Sequence, residues 1–216
     1  MINTKCPLCY RSADPIQEKA LFVLEDEYAY TCQIVRCVHC GNIFTWFDND
    51  ININSYYDDL DYTLQDTRNT LFHTIQKIEY NRVLRQLKKK AGSDQKTVLD
   101  FGCGKGVFLS FAKEKGFFVK GVETSLPRAG FAEKYFGIEV NKTYYESGQI
   151  FSEKFDILTI FHVIEHLTDP LPLLDNLVKE NLTCNGILVI EVPNFESWQS
   201  KWAGKRWMQL DVPRHV

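Results

Sequence analysis

Short apolar runs and amphipathic stretches alternate along the second half of the chain. Thr97-Val98-Leu99-Asp100 reads as a buried strand, and Val107 to Lys115 as a helix closed by Gly116. A second strand follows at Phe117–Glu123, then a helix running to about Tyr135. Ile138-Glu139-Val140 predicts a brief third strand and Phe155–Ile160 a fourth. A turn, a helix over Leu171–Glu180 and a fifth strand over Gly186–Val192 complete the series. Upstream, Leu71, Ile75, Ile78, Leu84 and Leu87 recur at threes and fours, which predicts a helix from Asp66 to about Ala91. Lys88-Lys89-Lys90 reads as its solvated last turn, complementing the helix dipole. Strands alternating with helices imply an α/β fold, a Rossmann-like, doubly wound and mostly parallel sheet covered on both faces.

Residues 1–47 have a different pattern. Cys6-Pro7-Leu8-Cys9 and Cys37-Val38-His39-Cys40-Gly41 are two CxxC knuckles. They are separated by apolar stretches, Leu21–Leu24 and Tyr28–Tyr30, that suit a hairpin. Two residues between cysteines let both thiolates of a tight turn reach one metal, and a second turn completes the S₄ tetrahedron that zinc prefers. Cys6, Cys9, Cys37 and Cys40 are therefore the expected ligands of a structural zinc ion in a small zinc-ribbon-like module. A redox-active CxxC is the competing reading, but one pair would suffice for it and a helix should follow. His39 is a spare candidate ligand, and Cys32, Cys103 and Cys184 read as bystanders. Residues 48–65, rich in Asn, Asp and Tyr, read as a linker or lid, with Tyr56, Tyr57 and Tyr62 either covering a ligand or packing on the sheet edge.

Composition narrows the function classes. The chain has 216 residues and a formal net charge of -3, from 25 Lys+Arg against 28 Asp+Glu. That balance argues against a general nucleic-acid binder. No apolar run is long enough to span a membrane, and Met1–Cys9 lacks an export pattern. Seven cysteines without an export signal argue against a disulfide framework. A cytoplasmic location is the expectation.

The chemistry starts where the first predicted strand of the α/β region ends, at Asp100-Phe101-Gly102-Cys103-Gly104-Lys105-Gly106. A strand delivering the chain to a glycine-rich turn and then to a helix N-terminus is a ligand cradle. About twenty residues further on, Glu123 ends the second predicted strand, where a carboxylate can accept both hydroxyls of an adenosine ribose. Asp100, two residues before the first glycine, would repel a pyrophosphate and suit an ammonium group. S-adenosylmethionine (SAM) carries the ribose and the ammonium but no phosphate. A nicotinamide oxidoreductase shares the fold and is disfavoured by Asp100 and by GxGxG in place of GxGxxG.

These residues, with Phe155-Asp156 leading to Val163-Ile164-Glu165-His166-Leu167-Thr168-Asp169-Pro170 and Gly186 through Pro193-Asn194, resemble the class I SAM-dependent methyltransferases. The similarity is to the branch of ubiquinone-type O-methyltransferases and sugar C-methyltransferases, and it covers about residues 66–216. An N-terminal Cys₄ module before such a domain is similar in order to bacterial sugar C-methyltransferases. The resemblance implies a SAM-dependent methyltransferase acting on a small-molecule acceptor, such as a sugar or nucleotide-sugar. It implies that Asp100, Phe101, Gly102, Cys103 and Gly104 surround the methionine part of SAM. Glu123 would hold the ribose, Thr124-Ser125 would lie beside the adenine, and Phe161 and His162 would line the methyl-transfer side. The segment Asn141–Glu146 offers no clear adenine contact.

Methyl transfer from a sulfonium needs a base only if the acceptor must lose a proton. His162, His166 and His215 are the catalytic candidates, with Glu165 alongside. Some relatives build a divalent-metal site from a similar Glu-His pair and a later histidine. The alternative for Glu165-His166 is a helix-start device in which the two side chains satisfy each other and His166 lies near Asp169. His73 reads as a surface or packing residue. Trp198, Trp202 and Trp207, with Lys201, Lys205 and Arg206, suit either a substrate platform or a hydrophobic cover. Relatives continue past residue 216 with further strands, so the expectation is a C-terminally incomplete sheet with an apolar edge available for self-association. A zinc-ribbon interaction or nucleic-acid module fused to an inactive Rossmann-like domain is the non-enzymatic alternative.

Overall fold

The structure is a computed structural model, and it describes residues 5–11, 19–25, 31–47, 71–92, 96–212 and 215. The linker or lid at 48–65, its tyrosines, and the first turn expected at 66–70 lie outside the described residues, as does the side chain of His73. The chain forms two compact units. One comprises residues 1–61, 164–172 and 192–216, and the other residues 62–163 and 173–191.

The second unit holds a five-stranded parallel sheet of β4 (Thr97–Phe101), β5 (Phe118–Val122), β6 (Glu139–Asn141), β7 (Phe155–Phe161) and β8 (Leu182–Glu191). Its strand order is β6-β5-β4-β7-β8, and every pairing is parallel. The order reverses beside β4, so the carboxyl ends of β4 and β7 flank a topological switch point, where open α/β sheets bind ligands. β4 is central because Val98, Leu99 and Asp100 are all buried, as a strand covered on both faces requires.

Helices α1 (Leu71–Ala91), α2 (Val107–Glu114), α3 (Leu126–Phe136) and α4 (Pro170–Asn181) connect or precede the strands. α2 buries Phe108, Leu109, Phe111 and Ala112 in a core shared with Leu84, Leu87, Val98 and Ile157. α3 starts with Pro127 in its first turn and ends at left-handed Gly137. β8 begins at Leu182, four residues before the expected start. Its polar Thr183-Cys184-Asn185 stretch is absorbed by a register shift, with Phe155 opposite Leu182 but Ile157 opposite Ile187.

The first unit contains an antiparallel sheet, β1 (Lys19–Glu25), β2 (Thr31–Arg36) and β3 (Ile43–Phe47), in that order. Its small core gathers Cys6, Val35, Cys37 and Phe44. Within the same unit lie the segments that follow β7 and β8, including α5 (Trp198–Ala203). Among the described residues, no helix is long and apolar enough to cross a membrane.

Candidate functional site

β4 carries Asp100 to the edge of the glycine turn and buries it, at 3% exposure. Thr159 Oγ1, from neighbouring β7, donates to Asp100 Oδ1 at 2.7 Å. Burial pushes the carboxyl up to about 7, the Thr159 bond pulls it down, and the charge of Glu123 pushes it up further. The turn itself is built on left-handed glycines, with φ of +78° at Gly102, +54° at Gly104 and +74° at Gly106. A Cβ at Gly102 would clash with Val163 Cγ2, so both the conformation and the space demand glycine there. The amides of Gly102 and Cys103 both donate to the Val122 carbonyl at 2.9 Å, tying the turn to β5. Cys103 is buried, its sulfur filling the space above Gly121. Phe101 sits edge-on to Tyr145 at 5.8 Å.

Glu123, one residue past β5, is fixed from two sides. Its Oε2 accepts from the Gly104 amide at 2.9 Å and its Oε1 from the Ser125 amide at 2.8 Å. A carboxylate has about four acceptor positions, so it retains capacity for a ligand diol. Thr124 beside it is exposed. Phe161 is buried, stacked on Tyr80 at 5.9 Å and edge-on to Phe108 at 4.8 Å. The buried Asp100, the glycine cradle and the anchored Glu123 fit a ligand with a cationic group and a vicinal diol, as in SAM.

His162 follows β7 directly. Its amide donates to the Glu191 carbonyl at 3.0 Å, and its Nε2 lies 3.3 Å from Glu191 Oε1. The bond to His162 holds the Glu191 carboxyl below its ordinary range. Sequence reasoning missed Glu191, whose signal was a charged residue at the carboxyl end of a predicted strand. It also missed Tyr80, which the helical pattern leaves undistinguished. Burial first, then the charges of Asp100 and Glu191, push the Tyr80 hydroxyl up, so it stays protonated.

In the other unit, the sulfurs of Cys6, Cys9, Cys37 and Cys40 all lie within 4.8 Å of one another. The pairs Cys6–Cys40 and Cys9–Cys37 stand 3.6 and 3.7 Å apart. A disulfide needs about 2.0 Å, whereas tetrahedral Zn–S bonds of about 2.3 Å give edges near 3.8 Å. All four are free thiols, and the set fits zinc. The knuckles share one backbone pattern. Tyr10 and Gly41 donate to the Cys6 and Cys37 carbonyls at 2.9 Å, from left-handed φ of +56° and +79°. His39 is not grouped with the four sulfurs, and its Nδ1 lies 3.3 Å from the Arg11 guanidinium.

Glu165, His166 and His215 also come together in this unit, with ligand atoms within 4.8 Å of one another. The two rings meet edge-on at 4.7 Å. His215 Nδ1 faces the Gln209 carbonyl at 2.8 Å. A carbonyl only accepts, so that nitrogen carries the proton and Nε2 the lone pair. Burial, then the charge of His166, lowers the His215 pKa. Such a trio can exchange a proton or hold a divalent cation. The structure thus groups His166 with His215, and His162 with Glu191.

Residues 71–216 match the family described as "Methyltransferase domain". A ubiquinone biosynthesis O-methyltransferase of Histophilus somni is 24% identical over 66% of this chain and 65% of its own length. The enzyme of the same name from Pseudomonas paraeruginosa is 31% identical over 39% of each chain. The chain thus spans less than two thirds of the length of these curated relatives. A SAM-dependent methyltransferase structure from Thermotoga maritima aligns at 22% identity over 71% of this chain and 64% of that one, with a TM-score of 0.49. By its match over residues 71–216 and its Rossmann-like parallel sheet, the chain belongs to the methyltransferase domain family, as a class I SAM-dependent member.

Proposed function

We propose that this chain binds SAM at the ends of β4 and β5 and transfers its methyl group to a small-molecule acceptor. The observation that carries the reading is the buried Asp100 beside a left-handed glycine turn, with Glu123 anchored one strand away. In this reading Asp100 meets the ammonium group, Glu123 the ribose diol, and Gly102, Cys103 and Gly104 give the ligand close access to backbone. Phe161 backs the site, Thr124 borders the adenine, and His162, His166 and His215 are the candidates for moving protons. The relatives' names support an oxygen acceptor, and a sugar or nucleotide-sugar hydroxyl is one such group. Zinc held by Cys6, Cys9, Cys37 and Cys40 serves folding, because a closed S₄ site leaves no open coordination position. Residues 1–47 act as the zinc module, 48–65 as linker or lid, and 66–216 as the methyltransferase domain. The apolar side chains exposed on edge strand β8, Leu188 and Ile190, suit self-association.

Calorimetric titration of the zinc-loaded chain with S-adenosylhomocysteine (SAH), with NAD as control, tests the cofactor assignment. Saturable SAH binding weakened by both Asp100→Ala and Glu123→Ala is expected. Preferential NAD binding would overturn the assignment in favour of a nicotinamide enzyme.

A further inference from the structure

The ring of Tyr80, from α1, is held on several sides by other aromatic rings. It stacks on Phe161, the last residue of β7, at 5.9 Å. Phe108, in the first turn of α2, meets it edge-on at 5.3 Å, and Phe111, one turn later, lies at 6.3 Å. A ring clamped in this way fixes where its hydroxyl stands. Burial first, then the charges of Asp100 and Glu191, push that hydroxyl up, so it lies within the field of both carboxylates and keeps its proton. Tyr80 is half-buried rather than sealed in the core. Among the described residues its hydroxyl has no hydrogen-bond partner. Polar groups taken out of water are nearly always paired, so this donor suits an acceptor atom of a bound ligand.

The glycine turn has few amides left to offer. Those of Gly102 and Cys103 go to the Val122 carbonyl, that of Gly104 to Glu123, and that of Gly106 to the Cys103 carbonyl. The amino-acid end of SAM carries an ammonium and a carboxylate on one carbon. With Asp100 meeting the ammonium, the carboxylate needs a side-chain donor. A cation placed there would compete with the ammonium for Asp100. A neutral hydroxyl donates to the carboxylate and leaves Asp100 to its partner. We infer that the Tyr80 hydroxyl is the donor for the methionine carboxylate of SAM, so that the site recognises an α-amino acid end and not adenosine alone. The inference deepens the SAM-dependent reading above and rests on it. Asp100 on β4 and Tyr80 on α1 then bind the two charged groups of one carbon from two separate elements. The rival donor is Lys77, one turn earlier on α1, but it is exposed and its Nζ stands 5.8 Å over the Phe111 ring.

Calorimetry on the zinc-loaded full chain can compare SAH with its decarboxylated analogue, S-adenosyl-3-thiopropylamine, which keeps the ammonium and lacks the carboxylate. The wild-type chain is expected to bind SAH ~10- to 100-fold more tightly than the analogue, as a hydrogen bond to a charged group allows. Tyr80→Phe keeps the ring and removes the donor. It should weaken SAH ~10-fold and leave the affinity for the analogue within about twofold of wild type. That selective loss is a readout that packing alone would not produce. Equal weakening of both ligands would mark a packing role and overturn the assignment. Equal wild-type affinity for the two ligands, or SAH affinity unmoved by Tyr80→Phe, would overturn it as well. Selective loss of SAH in Lys77→Met but not in Tyr80→Phe would hand the carboxylate to Lys77 instead. Failure of the wild-type chain to bind either ligand would overturn the proposed function, and this assignment with it.

Discussion

Thr45 Oγ1 donates to the backbone carbonyl of His215 at 2.6 Å, across 170 residues of sequence. Thr45 is 3% exposed and stands on β3, next to the aromatic residues that back the cysteine knuckles. Two further contacts join the same parts of this unit. Tyr10 Oη donates to Asp169 Oδ1 at 2.6 Å, and the Arg36 guanidinium meets Glu196 at 2.9 Å. Tyr10 and Arg36 flank the two knuckles in sequence, one just after Cys9 and one just before Cys37. The four-cysteine module therefore holds the segments that carry His166 and His215.

Zinc removal should loosen those segments as well as the three-stranded sheet. All four tryptophans, Trp46, Trp198, Trp202 and Trp207, lie in this unit, so tryptophan emission reports on it alone. Chelation is expected to shift that emission and to open residues 192–216 to protease. Thr45→Val should cost about 1–3 kcal/mol, because it leaves a carbonyl unpaired, while zinc stays bound. Unchanged emission and cleavage after verified zinc loss would refute the bracing role.

Cofactor affinity should depend on pH through Asp100. Its carboxyl sits at about 7 because burial penalises the charge, far above the unfolded value of about 4. The folded, ligand-free chain thus holds a proton that the unfolded chain releases, and its stability falls as pH rises from about 4 through 7. Binding an ammonium group needs the ionised form, so SAH affinity should rise roughly tenfold per unit up to about pH 7 and then level off. Asp100→Asn should abolish that slope, weaken binding throughout and raise the melting temperature of the empty chain at pH 8. Calorimetry across pH 5.5 to 8.5 checks all three.

Glu123→Ala should do more than remove the proposed ribose contact. The carboxylate closes two backbone amides, those of Gly104 and Ser125, and hydrogen bonds to a charged group are worth about 1.5–3 kcal/mol each. Loss of about 3–6 kcal/mol of stability is expected beside the loss of SAH affinity. Glu123→Gln keeps one acceptor oxygen and should recover part of the stability and less of the affinity, as paired denaturation and binding curves would show.

The glycine turn offers a steric test. In Gly102→Ala the new methyl would clash with Val163 Cγ2, on top of a φ of +78°. Destabilisation of about 2–4 kcal/mol is expected from overpacking and backbone strain together. Adding Val163→Ala should relieve the overpacking but leave about 1 kcal/mol of conformational strain. Full rescue, or none, in urea denaturation would show that one of the two terms had been misjudged.

The alternation of Val98-Leu99, Phe117–Val122 and Phe155–Ile160 with amphipathic segments determined the parallel sheet, because buried strands and amphipathic helices have distinct apolar periods. Spacing alone also set the four-sulfur cluster and the pairing of a glycine turn with Glu123, since local backbone geometry brings those groups together. Three-dimensional packing decided what local pattern does not encode. Gly121 makes room for Cys103, Thr159 reaches Asp100 from the next strand, and Glu191 meets His162 because β7 and β8 run side by side in one register. Likewise, nothing in the local sequence joins Thr45 to His215, or Tyr10 to Asp169. Those contacts depend on the path of the chain between them. Periodicity fixes which face of an element is buried, whereas the partner it meets across a long loop is settled only when the whole chain packs.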